Sequence, residues 1–410
     1  METKYVAALD LGTFKLLAMA AKKKTAGSLS ILNSEKLPSG KSIRRGRIHN
    51  IEEIATSVSL LVNRLNRKLA TEIQKIYAGI GGQSLHTEGY SVKKEINGEV
   101  TSGIIDDLYL ECRQYKPEFE EVLEIVPPEY YLDGSLSEQP KGVFCKEIEA
   151  RFQLILGRPS LKSFLEKSIQ GKAGIEIAGF FISPLATAEV ALTNPDKELG
   201  CALVEIGAGV TYLSIYKDQS LKYLVTIPLG GTVITKDLCS LDILEAEAER
   251  LKLKEGDAMP ESGQEEKSDK VIEARACEIV ANIADQIKQS GYGHALGAGI
   301  ILTGGGSLLK NMDKLIAQKT GKPTRMAVVE DHTQACIQGL LALGKEDCAR
   351  EVPKTKPTQV GIFGPEETKN TPAPPREPVK KKKISERIAH TVEKWGNNLF
   401  GDEEYTESNS

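Results

Sequence analysis

The feature that most constrains this fold is a strand–turn–strand unit that occurs twice in the chain. Residues 5–20, YVAALDLGTFKLLAMA, read as an apolar strand, a tight turn containing glycine, and a second strand. Residues 201–216, CALVEIGAGVTYLSIY, repeat this order, and Asp10 and Glu205 occupy equivalent places in the two units. The pattern predicts an internal duplication in which each unit presents one carboxylate beside a glycine turn.

A third glycine turn, in GIILTGGGSLLKNM (299–312), joins a buried strand to the start of a helix. Apolar residues at helical spacing predict helices over 51–70 and 269–290. Strands and helices mixed along the chain in this way indicate an α/β protein. Because 410 residues are too many for one hydrophobic core, two or more domains are expected.

Glycine turns beside buried strands suit the phosphates of a nucleotide for a physical reason. Glycine lets the backbone approach closely, and successive N–H groups form a nest that binds anions. A carboxylate beside each of two such turns can orient a hydrated Mg²⁺ between them. One hairpin alone is also the pattern of an ordinary turn, whereas two acidic hairpins followed by TGGGS are much more specific.

These motifs carry a resemblance to a known family. LDLGTFK (9–15), VEIGAGVT (204–211) and TGGGSLLKNM (303–312) resemble the phosphate-1, phosphate-2 and adenosine motifs of the actin and heat-shock-chaperone superfamily. Within it, residues 5 to about 345 look most like the FtsA family, bacterial cell-division proteins that tether the tubulin-like FtsZ ring to the membrane. The matching segments include AGIGGQSL (78–85), EIVPPEYYLDG (124–134), PKGVFCKEIEARFQLILG (140–157), SPLATAEVALT (183–193), ELGCALVEIG (198–207) and IPLGGTVITKDL (227–238).

The resemblance implies an actin-like ATPase fold of two lobes around a nucleotide cleft. The first lobe would comprise residues 1–84 and 163–194, with an FtsA-type inserted subdomain at 85–162. The core of the second lobe would comprise 195–230 and 299–345, and its small subdomain 231–298.

The resemblance also implies roles for single residues, with ATP and Mg²⁺ as cofactors. Asp10 would act on Mg²⁺ through water. The residues expected to contact the nucleotide are Gly12, Thr13 and Lys15 at the phosphates; Gly207, Ala208 and Gly209 in the second phosphate loop; Gly304, Gly305, Gly306 and Ser307 under the adenosine; and Glu249 and Lys252 near the ribose and base.

The second hairpin departs from the family pattern. Its usual sequence is Asp followed by Gly-Gly-Gly-Thr, whereas this chain has Glu205 and then Gly-Ala-Gly-Val at 207–210. A misplacement of ~1 Å can cost ~100-fold in rate, so ATP binding is expected and ATP hydrolysis is left open. Glu205 is nevertheless a candidate catalytic residue. Glu189 could polarise a water at the γ-phosphate, or it could be an ordinary solvated helix residue.

The C-terminal part differs in character from the rest. The folded body is expected to end near Gly344, and residues 346–379, rich in proline, predict a disordered linker. Residues 380–401 predict an amphipathic helix with a basic entrance, and residues 402–410 form an acidic tail. The residues expected to contact a membrane are Lys380, Lys381, Lys382, Lys383, Ile384, Ile388, Val392, Trp395, Leu399 and Phe400.

Such a helix lies in the interface plane of an anionic bilayer, where lysines and a tryptophan at headgroup level stabilise binding. The alternative is a helix that docks in a protein groove or packs on the body. The long linker and the resemblance favour the membrane.

Composition excludes several function classes. A net charge of −4 gives no reason to expect nucleic acid as a partner. Seven scattered cysteines without a C-x-x-C pair indicate reduced thiols in a cytoplasmic protein. No secretory signal is expected at the N-terminus, and no window approaches the ~20 apolar residues of a membrane span.

The resemblance therefore implies an actin-like ATP-binding cell-division protein at the cytoplasmic face of the cell membrane, at the division site. Its expected partners are FtsZ (docking within about 231–298), further copies of itself, the anionic membrane surface and other divisome proteins. Three alternatives stay open: a small-molecule kinase of the same fold, an actin-like pilus-assembly or cell-shape protein, and a chaperone ATPase.

Overall fold

The computed structural model describes residues 4–24, 28–69, 71–261 and 266–350. The predicted linker beyond Arg350, the predicted membrane helix (380–401) and the acidic tail (402–410) lie outside these residues. The lysines and apolar residues predicted to contact a membrane lie there too. No helix within the described part of the chain is long and apolar enough to span a bilayer.

The N-terminal elements build the first lobe. They are β1 (Lys4–Leu11), β2 (Lys15–Lys23), β3 (Leu29–Pro38), β4 (Ile43–Arg44), β5 (Arg47–Ile48), α1 (Ile51–Lys68), β6 (Glu72–Ile73) and β7 (Lys75–Ile80). Helix α1 begins where the Asn50 side chain accepts a hydrogen bond from the N–H of Glu53. It buries Ile54, Val58 and Leu61 at helical spacing, as the sequence predicted.

The middle of the chain adds the predicted insert and then returns to the first lobe. The insert contains β8 (His86–Glu99), α2 (Ser102–Gln114), β9 (Glu121–Leu132), β10 (Ser135–Ser137) and β11 (Phe144–Gly157). It is followed by α3 (Ser160–Glu166), a π-helical turn (Lys167–Lys172), β12 (Glu176–Ile182) and α4 (Ser183–Ala191).

The remaining elements belong to the second lobe, except α10 and β18, which pack on the first. They are α5 (Asn194–Leu199), β13 (Cys201–Ile206), β14 (Thr211–Lys217), β15 (Ser220–Ile227), α6 (Gly231–Leu238), α7 (Glu245–Glu255), α8 (Lys267–Gln289), β16 (Ile300–Thr303), α9 (Met312–Thr320), β17 (Thr324–Met326), α10 (Ala335–Leu343) and β18 (Ala349–Arg350). Helix α8 matches the helix predicted over 269–290.

Each lobe is built on a sheet with the same central arrangement. The first sheet has the order β12-β7-β1-β2-β3, with β1 antiparallel to β2 and parallel to β7. The second has the order β10-β9-β11-β8-β15-β14-β13-β16-β17, with β13 antiparallel to β14 and parallel to β16. Each lobe therefore places one hairpin beside a parallel strand that ends in a glycine turn.

The two hairpins also share their register. Asp10 pairs with Leu17 in the first hairpin, and Glu205 pairs with Tyr212 in the second. The turns close in the same way: Gly12 N donates to Lys15 O at 3.0 Å, and Gly207 N donates to Val210 O at 2.9 Å. The duplication predicted from the sequence is therefore present residue by residue in the backbone.

The insert is attached to the second lobe, although its chain connections come from the first. Strand β8 meets β15 at His86 and Val225, so the insert extends the sheet of the second lobe. Thr226 Oγ1 donates to Leu85 O at 2.8 Å, and the buried Lys222 pairs with Glu129 of β9.

The body continues past residue 345, where the linker was predicted to begin. Cys348 is buried and its N–H donates to Tyr5 O at 2.7 Å, while β18 pairs with β6. The predicted boundary is therefore too early, because the short polar stretch after Gly344 gives no sign of the pairing with β6.

Candidate functional site

A cleft of about 1210 Å³ lies where the ends of the two central hairpins meet. It exceeds the roughly 300–1,000 Å³ of most small-molecule sites. The structure brings nearly all of the predicted nucleotide-binding residues to its walls. These are Asp10, Gly12, Thr13, Lys15, Glu205, Gly207, Ala208, Gly209, Glu249, Lys252, Gly304, Gly305 and Gly306.

The turns of the two hairpins touch at their tips. A Cβ atom placed on Gly209 would lie 2.5 Å from Oγ1 and 2.9 Å from Cβ of Thr13, so no side chain fits at Gly209. Thr13 Oγ1 also accepts a hydrogen bond from Gly46 N at 2.9 Å. Thr13 therefore joins the first turn to the second turn and to the β4–β5 hairpin.

The second turn is held from behind by the start of α6. Gly231 N donates to Gly207 O at 2.9 Å, and Thr232 N donates to Ala208 O at 2.8 Å. These bonds occupy the carbonyl oxygens of the turn. Within the described residues, the N–H groups of Ala208 and Gly209 donate to no protein acceptor. Two unpaired amides on one glycine turn are suited to an anion.

The third glycine turn packs directly on the second hairpin. Gly304 has φ 86°, and a Cβ there would lie 2.5 Å from Ile206 O; a Cβ on Gly306 would lie 2.5 Å from Ile206 Cγ2. Both positions therefore require glycine. Ser307 does not line the cleft: it is 3% exposed, and its Oγ donates to Gly304 O at 2.7 Å. The prediction that Ser307 contacts the adenosine is corrected, because its hydroxyl closes its own turn.

Two carboxyl groups form the floor of the cleft. Burial, opposed by the Thr187 hydroxyl and supported by the nearby charge of Asp10, raises the pKa of Glu205 to about 7. Burial also raises the pKa of Asp10, against the opposing effect of the Lys15 ammonium group. Glu205 Oε2 is buried and has no hydrogen-bond partner within the described residues. An unpartnered carboxylate oxygen beside a second carboxyl group fits a divalent cation that keeps several waters and phosphate ligands.

The protein would supply only two carboxylates, Asp10 and Glu205, to such a cation. Among the described residues, no group of three or more His, Cys, Asp or Glu side chains could hold a metal ion alone. The remaining ligands of a cation here would have to be water or phosphate oxygens, which is the usual way in which Mg²⁺ is bound.

Lys15 crosses the cleft to the second lobe. Its Nζ donates to Thr333 Oγ1 at 2.7 Å, and Thr333 Oγ1 in turn donates to Asp331 Oδ1 at 2.7 Å. Burial lowers the pKa of Lys15, while the charges of Asp331 and Asp10 oppose that shift. A half-buried ammonium group beside two glycine turns is suited to a phosphate.

Glu249 and Lys252, on α7, also line the cleft. Lys252 Nζ donates to Glu249 Oε2 at 2.6 Å, to Thr235 Oγ1 at 2.9 Å and to Gly231 O at 3.1 Å. The pair therefore fixes α7 against the start of α6, next to the second turn. These are the two residues that the resemblance assigns to the ribose and base.

Glu189 does not reach the cleft. Its Oε2 lies 3.7 Å from Lys197 Nζ, and its side chain is 48% exposed. The prediction that Glu189 polarises a water at the γ-phosphate is therefore corrected: α4 turns this side chain to the surface. Thr187, two residues earlier, is buried instead, and its Oγ1 has no partner in the described part of the chain.

Several cleft residues were not predicted from the sequence. Tyr212, opposite Glu205, accepts a hydrogen bond from Gly82 N at 2.8 Å. Cys336 lies beside Asp10, and Thr333 bonds Lys15. Arg47 also lines the cleft; the short charge run RRGRI (44–48) fits either a phosphate or partner patch or a solvated loop. Equivalence of the hairpins could have identified Tyr212; the other contacts are long-range and leave no local signal.

The family model and the known relatives that match this chain carry the same description. The model of the family described as "Cell division protein FtsA" matches residues 202–341. The cell division protein FtsA of Porphyromonas gingivalis is 37% identical over 353 residues, covering 80% of this chain and 74% of the relative. That of Neisseria meningitidis serogroup B is 28% identical over 365 residues, covering 81% and 87%.

Solved structures share the fold at low sequence identity. The PilM-PilN type IV pilus biogenesis complex aligns with a TM-score of 0.61 and 15% identity, covering 82% of this chain and 97% of the other. The ethanolamine utilization protein EutJ from Carboxydothermus hydrogenoformans aligns with a TM-score of 0.53 and 15% identity, covering 84% and 91%. The predicted actin-like two-lobed α/β fold is confirmed for the described residues.

Proposed function

Because the chain belongs to the FtsA family of cell division proteins, we propose that it is an ATP-binding, actin-like protein that tethers FtsZ to the membrane. Its role is in cell division. In this proposal it polymerises on the cytoplasmic face of the cell membrane at the division site. It binds there through the C-terminal helix predicted over 380–401 and works with other divisome proteins.

The observation that supports nucleotide binding is the pair of hairpins. The two share the same strand register, and each contributes one carboxyl group to the cleft. Asp10 and Glu205 lie on the floor of the cleft, and Glu205 Oε2 lacks a partner within the described residues. Lys15 and the unpaired amides of the second turn would hold phosphate oxygens, and α7 would meet the ribose and base. Bound Mg²⁺ would neutralise phosphate charge between the two carboxylates.

The same contacts give a reason why the nucleotide would control assembly. Lys15 reaches Thr333 across the cleft, Thr13 touches Gly209, and Tyr212 bonds Gly82. Each of these contacts joins an element of the first lobe to one of the second. A nucleotide that replaces the Lys15 contact and lies between the turns would favour one orientation of the lobes. We infer that this orientation is the one competent to polymerise.

Polymerisation would make a weak membrane helix effective. One short amphipathic helix binds a bilayer only marginally, whereas many helices on one filament bind by avidity. FtsZ is proposed to dock on the small subdomain at 231–298, and the filament would then hold the FtsZ ring at the membrane.

The test is co-sedimentation of purified FtsZ with liposomes of phosphatidylglycerol and phosphatidylethanolamine, with ATP and Mg²⁺. The full chain is compared with Trp395→Glu, on the apolar face of the predicted helix, and with Asn397→Glu, on its polar face. The two variants change charge equally, so only a membrane-inserted face separates them. A chain ending at Pro353 retains β18 and is the matched truncation.

We expect the full chain and Asn397→Glu to carry FtsZ into the pellet, and Trp395→Glu and the truncated chain to leave it in solution. Equal pelleting of the chain and its truncation would refute the membrane helix. A full chain that pellets without FtsZ would refute the tether while leaving the nucleotide site untouched.

A further inference from the structure

The β4–β5 hairpin carries an unusual turn at Arg44–Arg47. Both central residues have positive φ, 49° at Arg45 and 71° at Gly46, the sign pattern of a type I′ turn. A glycine accepts this region readily, whereas an arginine rarely adopts it. Strained backbone of this kind persists only where the surroundings hold it, and it clusters at functional sites.

Contacts with two glycine turns hold the hairpin in place. Gly46 N donates to Thr13 Oγ1 at 2.9 Å, and Gln83 N donates to Arg45 O at 3.2 Å. A Cβ on Gly46 would lie 2.8 Å from Gly82 Cα, so the two backbones touch. The hairpin is therefore clamped between the first phosphate turn and the glycine turn that follows β7.

This clamp directs Arg47 to the cleft. Arg47 lines the cleft that also contains Lys15, Asp10 and Glu205, and its Cγ would lie 3.2 Å from a Cβ at Gly82, so the stem packs on that turn. None of the ion pairs among the described residues includes Arg47, although 19 such pairs are present. A half-buried guanidinium group in a cleft without a counter-ion is suited to an anionic ligand.

The position of the hairpin indicates which part of a nucleotide Arg47 would meet. A Cβ on Gly46 would lie 3.5 Å from Tyr212 Oη, and Tyr212 pairs with Glu205. Arg47 is thus beside the strand that carries Glu205, whereas Glu249 and Lys252, which are proposed to meet the ribose and base, are held against α6. The group farthest from the base is the terminal phosphate, which a diphosphate lacks.

We propose that Arg47 binds the terminal phosphate and makes the cleft prefer a nucleoside triphosphate over the diphosphate. The inference rests on the proposed nucleotide site and adds its discrimination between the two nucleotides. The planar guanidinium group can donate two parallel N–H bonds to phosphate oxygens, which a lysine ammonium group cannot.

The test measures the affinity of the full chain for ADP and for the non-hydrolysable triphosphate AMP-PNP by calorimetry, both with Mg²⁺. Arg47→Met is compared with Arg44→Met, a matched control on the same hairpin whose side chain is exposed and outside the cleft lining. We expect Arg47→Met to lower AMP-PNP affinity about 10- to 100-fold and to leave ADP affinity unchanged. Arg44→Met is expected to bind both nucleotides as the wild type does.

Arg47→Lys provides a second variant that keeps the charge, and we expect an intermediate loss for AMP-PNP alone. Retained ADP binding also reports that a variant is folded. Equal losses for both nucleotides in Arg47→Lys, or no loss in Arg47→Met, would overturn the inference while the proposed nucleotide site stands. A wild-type chain that binds neither nucleotide would instead overturn the proposed site, and this inference with it.

Discussion

Gly209 and Thr13 lie so close that a Cβ on Gly209 would come within 2.5 Å of the threonine Oγ1. The contact joins the turns of two hairpins that are separated by about half of the chain. The contact limits how closely the two lobes can approach. Glycine is the smallest residue, so no substitution at position 209 could make more room. Thr13 cannot swing away freely, since its hydroxyl accepts the hydrogen bond from Gly46 N.

A first prediction concerns this contact. Gly209→Ala should destabilise the nucleotide-free protein by about 1–3 kcal/mol, because the added methyl group overlaps Thr13. Urea unfolding measures the change. Gly89→Ala is the matched control. A Cβ on Gly89 would have Gln153 Nε2 as its nearest atom, at 3.9 Å, so this variant should lose much less stability. Adding Thr13→Gly to Gly209→Ala should recover part of the loss, and strictly additive effects would contradict the proposed overlap.

The raised pKa of Glu205 predicts a pH dependence of stability. Its pKa of about 7 in the folded protein exceeds the ordinary 4.5, so the folded state binds the proton more tightly. Stability without nucleotide should therefore fall as pH rises from about 4.5 to about 7, and level off above. Glu205→Gln should remove the Glu205 share of that fall, leaving the share of Asp10, whose pKa is also raised by burial. It should be the more stable protein at pH 8, by on the order of 3 kcal/mol. Urea unfolding between pH 4.5 and 8 tests this, and curves that stay parallel would contradict it.

Magnesium bound with ATP should favour the wild type over Glu205→Gln, the opposite of the order expected without nucleotide. With ATP and Mg²⁺ bound, the ionised Glu205 gains a cation to pair with, whereas glutamine gains much less. The melting temperature of the wild type should rise more on adding Mg·ATP than that of Glu205→Gln, at pH 8. Titration with ATP in EDTA is the control, and the two proteins should then respond alike. A Mg²⁺-dependent rise of equal size in both would remove Glu205 from the cation site.

The surface position of Glu189 gives a prediction about turnover. If the protein hydrolyses ATP, Glu189→Gln should leave the rate unchanged, because its carboxylate pairs with Lys197 away from the cleft. Glu205→Gln should lower the rate, since that side chain forms the cleft floor. Phosphate release with liposomes present is the measurement. A rate loss in Glu189→Gln with normal ATP affinity would return Glu189 to the catalytic role first predicted for it.

The sequence predicted what depends on local pattern. The register of Asp10 and Glu205 in their hairpins follows from alternating apolar residues around a glycine turn, and glycine itself marks close backbone approach. The sequence left two roles open for Glu189 because α4 is apolar on most of its surface, so the sequence does not say which side faces the cleft. The left-handed backbone at Arg45 carries no signal in its own sequence, so nothing local indicates that Arg47 lines the cleft.

Attachment of the insert was the largest feature that the sequence did not predict. The pairing of β8 with β15 joins segments far apart in the chain, and neither strand alone specifies the other. Charge pattern gives no help, because Lys222 and Glu129 look like ordinary strand residues until the fold places them together. Long-range pairing of this kind is decided by tertiary packing rather than local propensity.

The last prediction concerns the Lys222–Glu129 ion pair of this attachment, where the loss of one partner should cost more stability than the loss of the other. Lys222 is 8% exposed, whereas the Glu129 side chain is 38% exposed, so losing either partner has different consequences. Glu129→Gln leaves an ammonium group buried without its counter-ion, while Lys222→Met leaves a carboxylate that water can reach. Glu129→Gln should therefore cost more in urea unfolding, by about 1–3 kcal/mol, and the double variant should recover most of that excess.

The exposed pair Lys94 and Asp107 on the insert is the control, where either single change should cost about 0–1 kcal/mol. Equal costs at Glu129 and Lys222 would mean that the ion pair is solvated and does not hold the insert to the second lobe.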